Sequence, residues 1–241
     1  KVVNYLEKIS IPVEGNMINQ VATISANNDA KLGELIGGAF KDVGKTGIVM
    51  MEESKDLESS VKIIDGMQYE KPLKSLHFVT DQAKSSAELK NPLVLIVESK
   101  IENIRKIQGV LEYVIKNNKP LFIVADVDPQ VLAALAMNKM KGNIKVCIVD
   151  APTYGFTKKE KLNDLALMTG ATVINEDLGD DMDLISVDHL GKAKKIVSNK
   201  DNTIIQVDET PVAVEKLIEE LHEKQSKEKL PGLKMAYEKR L

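Results

Sequence analysis

The feature that most constrains this chain is a regular alternation between residues 93 and 175. Short apolar runs, "LVLIVES" at 93–99, "LFIVAD" at 121–126 and the segment 145–151, alternate with stretches of helical periodicity at 101–117, 129–141 and 158–169, and a short strand is predicted at 172–175. Strands separated by helix-length connections cannot close as hairpins. They pair in parallel through right-handed crossovers, which predicts an α/β domain. "AKKIVSNKDNTIIQV" departs from the pattern and reads as a β-hairpin with Asn202 near its turn, so antiparallel strands join the architecture.

Residues 1 to about 64 are organised differently. A short amphipathic start is broken at Pro12 and Gly15, and "QVATISANND" follows. "DAKLGELIGGAFKDVG" then places Leu32, Leu35, Ile36, Ala39 and Val43 at helical spacing, ahead of a predicted strand, "GIVMMEE", that runs to Glu53. Between helix and strand lies Gly44-Lys45-Thr46, the last three residues of a phosphate-binding loop. That loop also requires a glycine where Ala39 stands, and it leads from a strand into a helix rather than the reverse. A helix C-terminus turns carbonyls toward the loop, and carbonyls repel phosphate. Gly44 is therefore read as a helix cap followed by a turn.

With 241 residues and 43% apolar side chains, the chain can bury a sizeable core. Its longest apolar run, "VLAALAM", falls far short of the roughly 18 residues a membrane span requires, so no membrane partner is expected. The first residue is Lys1, no signal-peptide pattern follows it, and the closing helical pattern "GLKMAYEKRL" has no cap signal. Both ends read as boundaries of a piece of a longer protein. The 33 basic and 36 acidic residues are interspersed, with a formal net charge of −3, and form no continuous basic track for nucleic acid. Cys147, the single cysteine, lies in the apolar run "KVCIVDA", which excludes a disulfide framework and a cysteine zinc site. His77, His189 and His222 lack ligand spacing. In the helical tail from Pro211, Val214, Leu217, Ile218 and Leu221 share one stripe, supported by Glu220 to Lys224 and Glu223 to Lys227 pairs.

Two places invite chemistry. Asp126, Asp128 and Asp150 fall at the C-terminal ends of predicted parallel strands, the edge where open α/β sheets hold ligands, so a magnesium-dependent phosphotransfer or nuclease-like site is one reading. The preferred reading has Asp128 capping the helix that starts at Pro129, since Asp-Pro is a strong N-cap and N1 pair and no catalytic histidine or serine accompanies it. The helix 129–141, "PQVLAALAMNKMK", is the second place: Val131, Ala134 and Leu135 make one apolar side, while Leu132, Ala133, Ala136, Met137 and Met140 spread around the rest. Either it is buried on all sides, which the pattern alone favours, or one face is exposed for binding. The helix before it has Ile104, Ile107, Val114 and Ile115 as a core stripe and leaves Leu111 near the edge. Two such neighbours can form a groove for an apolar segment.

"QVATISANND", "VGKTGIVMMEE", "DGMQYE", "NPLVLIVESKIENIRKIQGVLE", "KPLFIVADVDPQVLAALAMNKMKG", "KVCIVDAPTYG", "LNDLALMTGATVI" and "LGKAKKIVSNKDNT" together resemble, in register over nearly the whole chain, the middle of a group I chaperonin of the GroEL type. The resemblance implies that residues 1–64 are the first segment of the intermediate domain and 65–241 the apical domain, a three-layer β/β/α fold. It places Gly66 at the hinge between them, where a residue without a side chain absorbs backbone rotation. The family's equatorial domain, with its phosphate motif, and the intermediate segment with the catalytic aspartate have no counterpart in the sequence. The chain is thus expected to be neither an enzyme nor an ATP binder; ATP and magnesium would belong to an intact, ring-forming parent. Expected partners are non-native polypeptides and the mobile loop of a co-chaperonin.

Carried over by position, the groove residues are Leu111 on the first helix, Leu132, Ala136, Met137 and Asn138 on the second, and Leu73, His77 and Phe78 on an underlying segment. This promotes the exposed-face reading of helix 129–141. The segment departs from the family: it reads "KPLKSLHF" here, with Leu73 and His77 for tyrosines and Lys74 where leucine is usual. Gln108 also replaces a groove leucine, an exchange worth about 2 kcal/mol of client binding. These departures fit a divergent organellar or parasite member, with the mitochondrial matrix, plastid stroma or bacterial cytoplasm as the expected compartments. A third, structural reading has the groove residues buried throughout.

Overall fold

A computed structural model describes residues 2–44, 47–49, 51, 59–152, 156–228, 230–238 and 240. Contacts divide the chain into two units, Lys1–Ile63 and Ile64–Leu241. The first holds helices α1 (Val2–Ile9), α2 (Met17–Ser25) and α3 (Ala30–Val43). Asp29 caps α3 by accepting a hydrogen bond from the Leu32 N–H at 3.0 Å. α2 and α3 are joined through Asn27 and Asn28, both in the left-handed region that asparagine tolerates best among residues with a side chain. Close approach of the two helices depends on glycine: a Cβ on Gly33 would lie 2.6 Å from the Thr23 Cα, and one on Gly37 would lie 3.0 Å from the Asn19 Cα. Gly44 ends α3 at φ 69° and ψ −163°, a positive-φ conformation outside the usual left-handed cap and open to glycine because it has no Cβ. Lys45 and Thr46 of the phosphate-loop sequence lie outside the described residues. The strand predicted over "GIVMMEE" is not found at residues 47–49 or 51, the remainder lying outside the described residues. No strand is present among the described residues of this unit to pair with it, and a lone strand leaves its backbone groups to water.

The second unit contains the two sheets and is mixed α/β. The parallel one runs β5-β4-β3-β6, from β3 (Leu93–Val97), β4 (Leu121–Val124), β5 (Val146–Val149) and β6 (Val173–Ile174), with the short β7 (Gly191–Lys192) antiparallel to β3. In register, Leu93 faces Leu121 and Leu121 faces Val146. The antiparallel sheet runs β1-β9-β8-β2, from β1 (Gly66–Tyr69), β2 (Ala87–Lys90), β8 (Lys195–Ser198) and β9 (Thr203–Gln206). The predicted hairpin is β8–β9, with Asn202 in its turn, where the Asn202 N–H donates to the Asn199 side-chain oxygen at 2.9 Å. β1 and β2 were not legible as strands. Both are short edge strands: β1 exposes Gly66 and Gln68, and β2 exposes Lys90 and leaves Glu88 half-buried.

Period-two alternation divides the parallel sheet between two cores. Leu95, Val97, Leu121, Ile123, Val146 and Ile148 pack with residues of helices α4 (Gln108–Lys116) and α5 (Pro129–Met140). Val94, Ile96, Phe122, Val124, Cys147 and Val149 pack with Tyr69, Leu89, Ile196 and Ile205 of the antiparallel sheet and with Leu162 and Leu165 of helix α6 (Phe156–Thr169). The layers are therefore helices, parallel sheet, then antiparallel sheet flanked by α6. Burial fixes Cys147 in its thiol form, with its pKa pushed up to about 12. Helices α7 (Val212–Lys227) and α8 (Pro231–Glu238) follow; α7 buries Val214 and Leu221, leaves Ile218 exposed, and carries both predicted i,i+4 ion pairs.

One helix differs from its prediction. The stretch 101–117 opens as a 3-10 turn over Ile104–Ile107 before α4 begins at Gln108. Along α4 and its N-cap the buried stripe is Ile107, Val110, Leu111 and Val114, at i, i+3, i+4 and i+7, and Ile115, expected in the core, falls beside that stripe and is 51% exposed.

Candidate functional site

α4 and α5 cover the same face of the parallel sheet, since residues of both join one core. α5 starts at Pro129 because Asp128 accepts a hydrogen bond from the Gln130 N–H at 2.9 Å, the cap anticipated from Asp-Pro. Its Val131, Leu135 and Ala136 are buried, and Leu132 is half-buried against the same core. The opposite side is not covered: Met137 is 56% exposed and Met140 is 66% exposed. Burial of α5 on all sides, which the pattern alone favours, is thus corrected. A helix with a single sheet beneath it has only one stripe to bury.

The segment 71–80 runs past the ends of β4 and β5. The Leu73 N–H donates to the Asn199 carbonyl at 2.9 Å and the Lys74 N–H to the Ile148 carbonyl at 3.0 Å. Ser75 then caps a 3-10 turn, Leu76–Phe78, that packs against α5. Phe78 points into the core and Leu73 is half-buried between both cores, whereas His77 is exposed and Leu76 is 66% exposed. The turn is closed on its far side by Lys139 of α5, whose Nζ donates to the Val79 carbonyl at 2.6 Å.

On these two packed elements the exposed apolar side chains are Leu76 of the turn and Met137 and Met140 of α5, together termed the ledge, with His77 and Asn138 also exposed and Leu132 half-buried against the core. Asn138 donates to the Ala134 carbonyl at 2.9 Å within its own helix. Leu111, Ala136 and Phe78 lie in the core and present almost no surface in this conformation. Gln108 is exposed, its amide donating to Glu112 at 2.7 Å. Leu76 was not among the positions read from the sequence; its signal was the apolar residue immediately after a Ser cap, where the chain turns outward.

The aspartates belong to a different arrangement. Lys74 Nζ forms an ion pair with Asp150 and lies 3.4 Å from Asp126, so an ammonium group stands between two of the three carboxylates proposed for magnesium. Asp128 is engaged as the α5 cap and lies 3.6 Å from Lys100. Tyr69 donates to the Asp150 carbonyl at 2.8 Å, and burial first, then the Asp150 charge, raises its hydroxyl pKa. No group of three or more potential metal ligands occurs among the described residues. His189 uses Nδ1 to accept from the Ser186 N–H at 3.1 Å, closing a local cap.

Gly66 lies in β1 opposite Gln206, and a Cβ there would come within 3.3 Å of the Ile205 carbonyl carbon and closer still to its oxygen. Close backbone approach therefore demands glycine at this position by itself. No protein-family model matches the chain. No helix among the described residues is long and apolar enough to cross a membrane.

Proposed function

We propose that the chain is a polypeptide-binding module, related to the apical domain of a group I chaperonin, that captures apolar segments of non-native proteins on the Leu76, Met137 and Met140 ledge. The observation that carries this reading is the exposure of apolar side chains on two elements packed against each other, a 3-10 turn and α5, where each could instead have carried polar residues without cost to the core. Methionine suits such a surface because its unbranched, polarizable side chain adapts to many partners. The layer order of helices, parallel sheet and antiparallel sheet is compatible with the β/β/α fold the resemblance implies. On this reading residues 1–64 are intermediate-domain sequence and a co-chaperonin loop competes with clients for the ledge. ATP acts on another part of a ring-forming parent.

The test is fluorescence polarisation with a labelled unfolded protein, comparing the native chain with the Leu76→Glu/Met137→Glu variant. Both substituted positions are solvent-exposed, so the variant keeps its core. Binding by the native chain and its loss in the variant are expected; equal binding by both would reject the ledge as the site.

A further inference from the structure

Lys74, on the short path between β1 and the 3-10 turn, reaches Asp126 and Asp150, which follow the ends of β4 and β5. Its backbone is already fixed to β5 through the Ile148 carbonyl and by the bridge between Leu73 and Val149. Its side chain is 15% exposed, so the ammonium is held low against the sheet edge, while its partners Asp126 and Asp150 are 64% and 43% exposed. The stem is buried and the carboxylates are wet. Beyond Lys74, Ser75 caps the turn, Phe78 enters the core and Lys139 holds the Val79 carbonyl. Leu76 and His77, the exposed part, thus lie between an ionic tether on one side and a hydrogen-bonded tether on the other.

We infer that Lys74 is a positioning residue, an ionic latch to Asp126 and Asp150 that holds the Leu76–His77 ledge against α5 and makes polypeptide capture sensitive to salt. The inference rests on the polypeptide-binding reading for its functional half; the latch itself is a claim about the turn. Ion pairs with exposed partners are screened as ionic strength rises, because the Debye length shrinks toward contact distance. Apolar contacts are not weakened in this way. A ledge made only of apolar packing therefore keeps or gains affinity with salt, and a latched ledge loses it.

Two readouts separate the parts. The first is amide exchange at Phe78 and Val79, whose N–H groups donate to the Ser75 and Leu76 carbonyls at 3.1 Å each. In Lys74→Met, which keeps the stem and removes the charge, exchange at these amides accelerates about two- to fivefold while β4 is unchanged; the Asp126→Asn/Asp150→Asn variant, altered only on the exposed side, reproduces it. The charge-reversed Lys74→Asp/Asp150→Lys variant partly restores protection. Unchanged exchange in both single-sign variants overturns the latch.

The second readout is binding of a rhodamine-labelled, uncharged leucine-rich peptide between about 0.05 and about 0.5 M NaCl. Affinity of the native chain falls about two- to fivefold over this range, and that of Lys74→Met is flat or rises. Parallel salt responses in the two proteins reject the functional half. If the native chain fails to bind the peptide at either salt, the polypeptide-binding reading fails, and the exchange data still decide whether Lys74 latches the turn.

Discussion

Lys139 Nζ donates to the Val79 carbonyl at 2.6 Å, joining the last turn of α5 to the end of the segment that carries Leu76 and Phe78. The lysine also places positive charge near the helix C-terminus, where it complements the dipole. Replacing it with methionine keeps the stem and leaves a half-buried carbonyl unpaired. The expected cost is about 1 kcal/mol in a urea melt, with faster exchange at Val79 and Thr80.

The orientation of α5 is testable by contrast within one helix. Leu135 is 1% exposed and in the core, so Leu135→Ala should cost about 2–5 kcal/mol. Met137→Ala and Met140→Ala, on the open side, should each change stability by less than about 0.5 kcal/mol. Similar losses at all three positions would show that the open side is covered.

Gly33 and Gly38 lie on the same helix and should respond with opposite sign. A Cβ at Gly33 would press on the Thr23 backbone and force α2 and α3 apart, whereas at Gly38 nothing lies within 4 Å. Gly33→Ala is expected to lower the melting temperature of the first unit, and Gly38→Ala to raise its stability by up to about 1 kcal/mol through helix propensity.

Alkaline pH should weaken the second unit in a defined window. The Cys147 thiol moves from an ordinary value of 9.0 to about 12 in the fold, because burial penalises the thiolate. Between those values the unfolded chain has lost the proton that the folded chain retains, so stability falls as pH rises, by about 1.4 kcal/mol per unit while the difference persists. In Cys147→Ala this slope is reduced. What remains comes in part from Tyr69, whose pKa is raised in the same direction.

Arg240 reaches Asp164 with two nitrogens at 2.8 and 2.9 Å and Glu160 at 2.6 Å, with its side chain 8% exposed. Two carboxylates on α6 thus share the Arg240 guanidinium. Arg240→Ala should cost about 2 kcal/mol, and Arg240→Lys should recover only part of it because an ammonium cannot make the paired contact. A thermal melt of the three proteins checks the order.

Much of the second unit's backbone was already legible in the linear chain, because the signals concerned are local. Alternating apolar runs and helical spacing specify β3, α4, β4, α5 and β5, Asp128-Pro129 specifies the α5 start, and Asn202 marks the β8–β9 turn. These depend on periodicity and caps within a few residues. The edge strands β1 and β2, the pairing of β1 with β9, and the outward face of α5 depend on partners more than a hundred residues away or on which side the sheet occupies. The same is true of Lys74, whose meaning appears only when folding brings Asp126 and Asp150 to it. Sequence determined which segments are helices or strands, because backbone propensity and side-chain period are written locally. Tertiary structure alone decided which apolar residues remain in water and which charges meet, because both depend on what the rest of the chain has already covered.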